Sequence, residues 1–206
     1  MVNCFIVPAR GLSSGKSRLQ ELLGSDERRQ LNLRLLRSVL GAVASLNAAR
    51  DGFLLVSPDP ELRTEAQRFG ATFEQEAVAA GMNAAVGAGL ARARERGYVC
   101  ATVLPADLPL VAADDIRALV QAAGAGVAVA PDRRGEGTNG LVLRLDNPVE
   151  LSFEKDSFRR HVAAAEERRL PIAIVRRSGL AFDLDLPADW LEWRSGITHG
   201  IAALPA

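Results

Sequence analysis

The stretch Val99-Cys100-Ala101-Thr102-Val103-Leu104-Pro105-Ala106-Asp107-Leu108-Pro109 constrains the fold more than any other in this chain. Its apolar run lacks the polar alternation of a half-exposed strand. It therefore predicts a strand covered on both faces, as in a parallel sheet with helices on either side. Pro105 and Pro109 end the ladder and stiffen the turn that carries Asp107. In open α/β sheets, ligands bind beyond the carboxyl ends of the strands, where this carboxylate falls. Taken alone, Asp107 is equally an aspartate that starts a turn.

The rest of the chain alternates in the same way. Residues 2–8 and 53–56 read as strands, and 71–73 as a short one. Helical patterns run over 26–49, where Leu31, Leu35, Leu36, Val39, Val43 and Leu46 form one stripe, and over 61–68. An alanine-rich helix opens at Gly81-Met82-Asn83 and stops near Gly97, and another spans 114–122. Residues 127–131 and 141–145 are strands joined by a turn too short for a crossover helix, so that pair is predicted antiparallel. A helix over 158–168, a strand over 172–175 and a helix over 187–193 follow. The expectation is one domain over residues 1–195, a three-layer α/β sandwich with a mostly parallel sheet, and a tail over 196–206.

The chain's 206 residues include 25 Lys+Arg and 25 Asp+Glu, so no net positive field argues for nucleic acid or an anionic membrane. No signal peptide or membrane span is legible. Cys4 and Cys100 both lie in apolar runs, which suits buried thiols in a reducing compartment, and the cytoplasm is the expected location. The apolar tail Ile197 to Ala206 offers a surface for a partner, so a homodimer is one expectation.

Several stretches carry candidate chemistry. Arg10-Gly11-Leu12-Ser13-Ser14-Gly15-Lys16-Ser17 has the make-up of a phosphate cradle, with a helix expected from Lys16 onward to add its N-terminus. It is one residue short of a P-loop, since only three residues separate Gly11 from Gly15. In Phe182-Asp183-Leu184-Asp185-Leu186-Pro187, two carboxylates at i and i+2 of an extended segment share one side, roughly 7 Å apart. Such a pair suits a hard divalent ion, although Asp185 could instead cap the helix starting at Pro187. Gly137-Thr138-Asn139 and the segment from Phe153 to His161 supply small polar groups before a helix start, where Ser157 doubles as an N-cap candidate. His161, on a helix, reads first as a surface or core histidine. Gly81-Met82-Asn83 has a flexible backbone and an amide suited to a base edge.

Together these stretches resemble the CofC/FbiD-type guanylyltransferases of the MobA-like nucleotidyltransferase superfamily. The resemblance runs in order over about residues 2–190. It rests on Val7-Pro8-Ala9-Arg10, Gly15-Lys16-Ser17-Arg18-Leu19, Gly81-Met82-Asn83, Pro105-Ala106-Asp107-Leu108-Pro109, Gly137-Thr138-Asn139, Phe153 with Ser157, Phe158 and His161, and the residues from Gly179 to Pro187. It implies transfer of GMP from GTP to the phosphate of a three-carbon acid in coenzyme F-420 biosynthesis, the product passing to the next pathway enzyme. It also implies Mg²⁺ on Asp107, Asp183 and Asp185, Lys16 at the nucleotide phosphates, and Arg10 and Gly11 in the nucleotide loop. Gly81, Met82 and Asn83 would lie near the guanine, and Thr138, Asn139 and Ser157 would serve the phospho-acid.

Three departures stand out: Arg10 where the family usually has lysine, Met82 where it has leucine, and Glu154-Lys155-Asp156 in place of a glycine-rich turn. The competing readings are another MobA-like transferase acting on a molybdopterin or sugar phosphate, a P-loop NTPase, and a catalytically silent α/β binding protein.

Overall fold

The computed structural model describes residues 2–46, 51–76 and 80–196. Seven strands form one mixed sheet: β1 Asn3–Pro8, β2 Gly52–Ser57, β3 Thr72–Gln75, β4 Cys100–Val103, β5 Val127–Pro131, β6 Thr138–Arg144 and β7 Ile172–Ile174. Their order is β3-β2-β1-β4-β6-β5-β7. β3, β2, β1 and β4 run parallel, while β6 pairs antiparallel with both β4 and β5. The predicted antiparallel pair is thus β5 and β6, and β6 is the strand inserted against the direction of its neighbours.

The helices are α1 Ser25–Ala44, α2 Leu62–Arg68, α3 Met82–Glu95, α4 Ala113–Ala123, α5 Ser157–Glu167, α6 Ser178–Ala181 and α7 Pro187–Arg194. α1 begins after Gly24, whose N–H donates to the Glu27 carboxylate at 2.7 Å and so satisfies one of the orphan donors of a helix start. The helix expected over 26–49 ends at Ala44, and its residues 47–49 lie outside the described residues, as does the tail from Ile197 onward. The short α6 escaped the sequence reading.

Side chains alternate across β1 and divide the core. Phe5 and Val7 join the layer of Leu36, Val39 and Leu40 from α1 and of Ile116 and Leu119 from α4. Cys4 and Ile6 face the opposite layer, with Val86 and Leu90 of α3. Gly89 lets α3 lie close on the sheet, because a Cβ there would come within 2.6 Å of Ile6 Cγ2. Removing a fully buried leucine such as Leu40 or Leu119 costs on the order of 2–5 kcal/mol.

A third cluster, of Leu19, Leu23, Leu31, Leu35, Phe182 and Leu184 with Trp190 and Trp193, lies apart from the other two. It joins the segment after the first loop to the segment carrying the two late aspartates. Two stretches far apart in sequence are thereby fixed side by side. Both cysteines are buried, and burial pushes the Cys4 thiol up to about 12. No helix among the described residues is long and apolar enough to cross a membrane.

Candidate active site

The cleft opens at the carboxyl edge of β1 and β4, where the chain turns from one side of the sheet to the other, and has a volume of about 440 Å³. Its first wall is the loop after β1. Gly11 takes φ 109°, a conformation open to glycine and costly to other residues. The next amide, Leu12 N–H, donates to Asp59 Oδ2 at 3.0 Å, and Asn32 Nδ2 donates to the Leu12 carbonyl at 2.7 Å. The loop is therefore clamped from β2's exit and from α1.

Lys16 sits at φ 58°, ψ 36°, and only a single 3-10 turn, Ser17–Leu19, follows it. The helix expected from Lys16 onward is absent. Leu19 and Leu23 are instead drawn into the third cluster, and α1 starts beyond Gly24. A left-handed lysine is unfavourable by roughly 1–2 kcal/mol, the kind of local strain that collects at functional sites.

That strained backbone aims the lysine at the carboxylates. Lys16 Nζ donates to Asp107 Oδ2 at 2.7 Å and to Asp185 Oδ1 at 2.8 Å, with the lysine side chain 7% exposed. Burial works against the ammonium, but the two carboxylates outweigh it and hold the Lys16 pKa above its ordinary value. Asp185 is likewise opposed by burial and held below the usual range by Lys16.

Asp183 has weaker help, a 3.4 Å hydrogen bond from Asn139 Nδ2. Burial, then the charges of Asp107 and Asp185, push its carboxyl up to about 6. The backbone stitches the set together, since Leu184 N–H donates to the Asp107 carbonyl at 3.2 Å.

Asp183 and Asp185 both line the cleft, but not from a strand. They lie in irregular chain between α6 and α7. Nor does Asp185 cap α7. The N-cap is Leu186, and the carboxylate that holds the helix start belongs to Asp189, which accepts from Asp185 N–H at 3.0 Å and Leu186 N–H at 2.6 Å. Asp189 is fully buried and also accepts from Arg133 and Arg134. Sequence reasoning missed this residue, although an acid at the third position of a proline-opened helix is a visible capping signal. Among the described residues, no three Asp, Glu, His or Cys side chains converge as a preformed metal site; Lys16 holds two of the three carboxylates.

Other lining residues, Thr138, Asn139 and Ser157, are uncharged and polar, with Glu154 near them in the chain. Thr138 and Asn139 open β6, and because that strand is reversed its first residues reach the same edge of the sheet as the ends of β1 and β4. Asn139 Nδ2 donates to the Leu180 carbonyl at 2.9 Å. Ser157 lines the cleft as the first residue of α5. It is not the N-cap, a position held by Asp156 at φ 58°. The left-handed region tolerates aspartate better than most residues, so Glu154-Lys155-Asp156 turns without glycine.

His161 is a core histidine. It is fully buried, within 2.9 Å of Thr138 Oγ1 through Nδ1, and accepts from Ser152 N–H through Nε2 at 3.1 Å. Of the three residues expected near a base, Met82 lines the cleft. Asn83 turns its carbonyl oxygen to Phe153 N–H at 2.7 Å and so braces the far wall, while Gly81 is the exposed N-cap of α3 at φ 95°. Arg10 and Gly11 line the cleft beside Lys16.

Comparison with known proteins gives the chain a family. The family described as "Guanylyl transferase CofC like" matches residues 3–201. The chain belongs to that family. It is 46% identical over 196 residues to a phosphoenolpyruvate guanylyltransferase of Sphaerobacter thermophilus, covering 93% of this chain and 92% of the relative. It is also 35% identical over 194 residues to a 3-phospho-D-glycerate guanylyltransferase of Phenylobacterium zucineum, covering 93% and 89%. A putative nucleotide-diphospho-sugar transferase from Desulfovibrio desulfuricans superposes with a TM-score of 0.76 at 16% identity, over 97% of this chain and 90% of that one. That likeness carries the three-layer α/β fold alone. The chain is thus a nucleotidyltransferase of the guanylyltransferase kind, as the sequence motifs implied.

Proposed function

We propose that this guanylyltransferase moves GMP from GTP to the phosphate of a three-carbon phospho-acid, as a step of coenzyme F-420 biosynthesis in a reducing cytoplasm. Phosphoenolpyruvate is the first acid to test, with 2-phospho-L-lactate and 3-phospho-D-glycerate as its rivals. The observation that carries the reading is the buried Lys16 ammonium shared between Asp107 and Asp185, in one cleft with the polar side chains of Thr138 and Ser157.

A phosphate oxygen of the acid attacks the α-phosphorus of GTP. The new P–O bond forms as the bond to the β-phosphate oxygen breaks, and pyrophosphate leaves with that electron pair. The nucleophile is already anionic at neutral pH, so no general base is required. The obstacle is repulsion between two polyanions, and fixed positive charge and in-line positioning overcome it.

Asp107, Asp183 and Asp185 are hard oxygen donors on one side of the cleft, a donor set that fits Mg²⁺. When bound, that ion supplies charge neutralisation at the triphosphate. Asp107 and Asp185 would then exchange the Lys16 ammonium for the ion, and Lys16 would turn its charge to the nucleotide phosphates. Arg10, at the exposed rim, adds charge for the leaving pyrophosphate, and Gly11 leaves the loop backbone open to it. Gly81, Met82 and Asn83 lie at the guanine side in this reading. Thr138, Asn139 and Ser157 receive the acid.

The test is pyrophosphate release with GTP and Mg²⁺, offering each acid separately and trapping the product with the next pathway enzyme. Release with one acid is the expected result. No release with any of the three, in protein that binds GTP, would overturn the acceptor class.

A further inference from the structure

The hydrogen bonds around His161 determine which way a neighbouring hydroxyl points. A backbone N–H can only donate, so the imidazole nitrogen that accepts from Ser152 N–H, Nε2, carries no proton. The ring is fully buried, and burial lowers its pKa to about 4, so it is neutral at pH 7. Its single proton therefore resides on Nδ1, which lies 2.9 Å from Thr138 Oγ1. Nδ1–H donates, Oγ1 accepts, and the hydroxyl proton of Thr138 is left over for another partner.

Thr138 lines the cleft. The opposite tautomer would turn the threonine proton to the ring and present only lone pairs to the cleft, which repel an anion. The ring is itself held in place: Phe153 lies edge-on to it at 4.8 Å, and Phe153 N–H is tied to Asn83.

We infer that His161 is a positioning residue that fixes one tautomer and thereby presets Thr138 as a hydrogen-bond donor to the anionic acceptor substrate. The inference rests on the acceptor reading above, since the anion Thr138 serves is the phospho-acid. A preset donor needs no reorganisation when the anion arrives.

Two measurements test this. The first is long-range ¹H–¹⁵N NMR of the imidazoles in wild-type protein, with His199→Gln assigning the second histidine's signals. The expected result is an Nδ1-protonated ring for His161, and an Nε2-protonated or cationic ring at pH 7.5 would overturn the inference. This reading needs no substitution at position 161, so it holds even where a variant fails to fold.

The second measurement is steady-state kinetics of His161→Asn, His161→Gln, Thr138→Val and the double variant Thr138→Val/His161→Gln. Asparagine keeps an N–H donor at the Nδ1 position and should stay within about three-fold of wild type. Glutamine keeps only the Nε2-like end and should raise KM for the acid on the order of ten-fold, as for a lost hydrogen bond to a charged group. KM for GTP should stay within about two-fold. The double variant should be no worse than Thr138→Val alone, because one interaction is removed twice. Additive losses, or equal loss for GTP and acid, would overturn the inference. Absence of turnover with every acid in the wild-type enzyme would instead sink the acceptor reading and with it the ligand assigned to Thr138, and the tautomer then decides only whether His161 presets that hydroxyl as a donor.

Discussion

The two walls of the cleft solve opposite problems. On one, the buried Lys16 ammonium holds two of three carboxylates, and the third, Asp183, is pushed by burial up to about 6. On the other, Thr138, Asn139 and His161 are buried, neutral and joined to fixed partners. A charged set in which one carboxylate has no cation beside it is suited to exchange partners when ligands arrive. A neutral, fully bonded set is suited to stay put, since a buried polar group left unpaired costs about 1–3 kcal/mol. Under the proposed function, charge handling and acceptor orientation would thus be divided between a responsive wall and a rigid one.

The most damaging change should be Asp107→Asn on the responsive wall. It removes the carboxylate at the exit of β4 and is expected to lower kcat by about 1,000-fold or more, with a melt close to wild type. A variant keeping most of its pyrophosphate release with a normal melt would deny Asp107 any part in the chemistry. Lys16→Ala should follow, lowering kcat roughly 100-fold and weakening GTP binding; unchanged kinetics would make the first loop a mere connection.

The rigid wall should show itself in acid. The native His161 pKa lies near 4, below its ordinary value of 6.5, so the unfolded chain binds the proton first. Stability is complete above about 6.5 and falls as pH drops towards 4, by about 3 kcal/mol. Urea denaturation from pH 7.5 to 4 measures this loss, and His161→Asn should flatten that part of the curve. A slope unaltered in the variant would assign the acid sensitivity elsewhere.

Asp183→Asn probes the responsive wall without ligands. Because the native Asp183 pKa is raised, its stability contribution is complete below the ordinary carboxylate value and is lost as pH rises through about 6. Replacing the buried charge should stabilise the metal-free protein at pH 7.5 by about 1–3 kcal/mol, an advantage that Mg²⁺ should shrink. Destabilisation would mean that Asp183 is well compensated. The smallest effect is expected of Asp156→Gly. Glycine accepts φ 58° readily, so stability should move by less than about 1 kcal/mol. A large loss of acceptor affinity there would give the Asp156 side chain a role beyond its turn.

The sequence made the strands, their layering and the reversed pair legible because those follow from local periodicity and turn length. The motif residues Lys16, Asp107, Thr138, Ser157, Asp183 and Asp185 do meet in one cleft. Their pairing was not legible. Lys16 reaches Asp107 across 91 positions and Asp185 across 169, and nothing periodic spans such intervals. The helix expected at Lys16 failed because Leu19 and Leu23 answer to Phe182 and Leu184, which tertiary packing supplies. His161 read as a bland helical residue for the same reason, since its partners Thr138 and Ser152 belong to other elements.

The backward course of β6 has an evolutionary corollary. The strand ends bearing Asp107 and the loop of Lys16 are anchored deep in the parallel half of the sheet, where any insertion would disturb neighbours on both sides. Thr138 and Asn139 instead follow directly on the tight connection over residues 132–137 at the protein's edge. That connection is tied to the helices around it: Arg133 and Arg134 pair with Asp189 of α7, and Phe158 N–H of α5 donates to the Glu136 carbonyl. Under the proposed function, relatives that take different acceptor acids would therefore change this hairpin together with the helix starts to which it is tied.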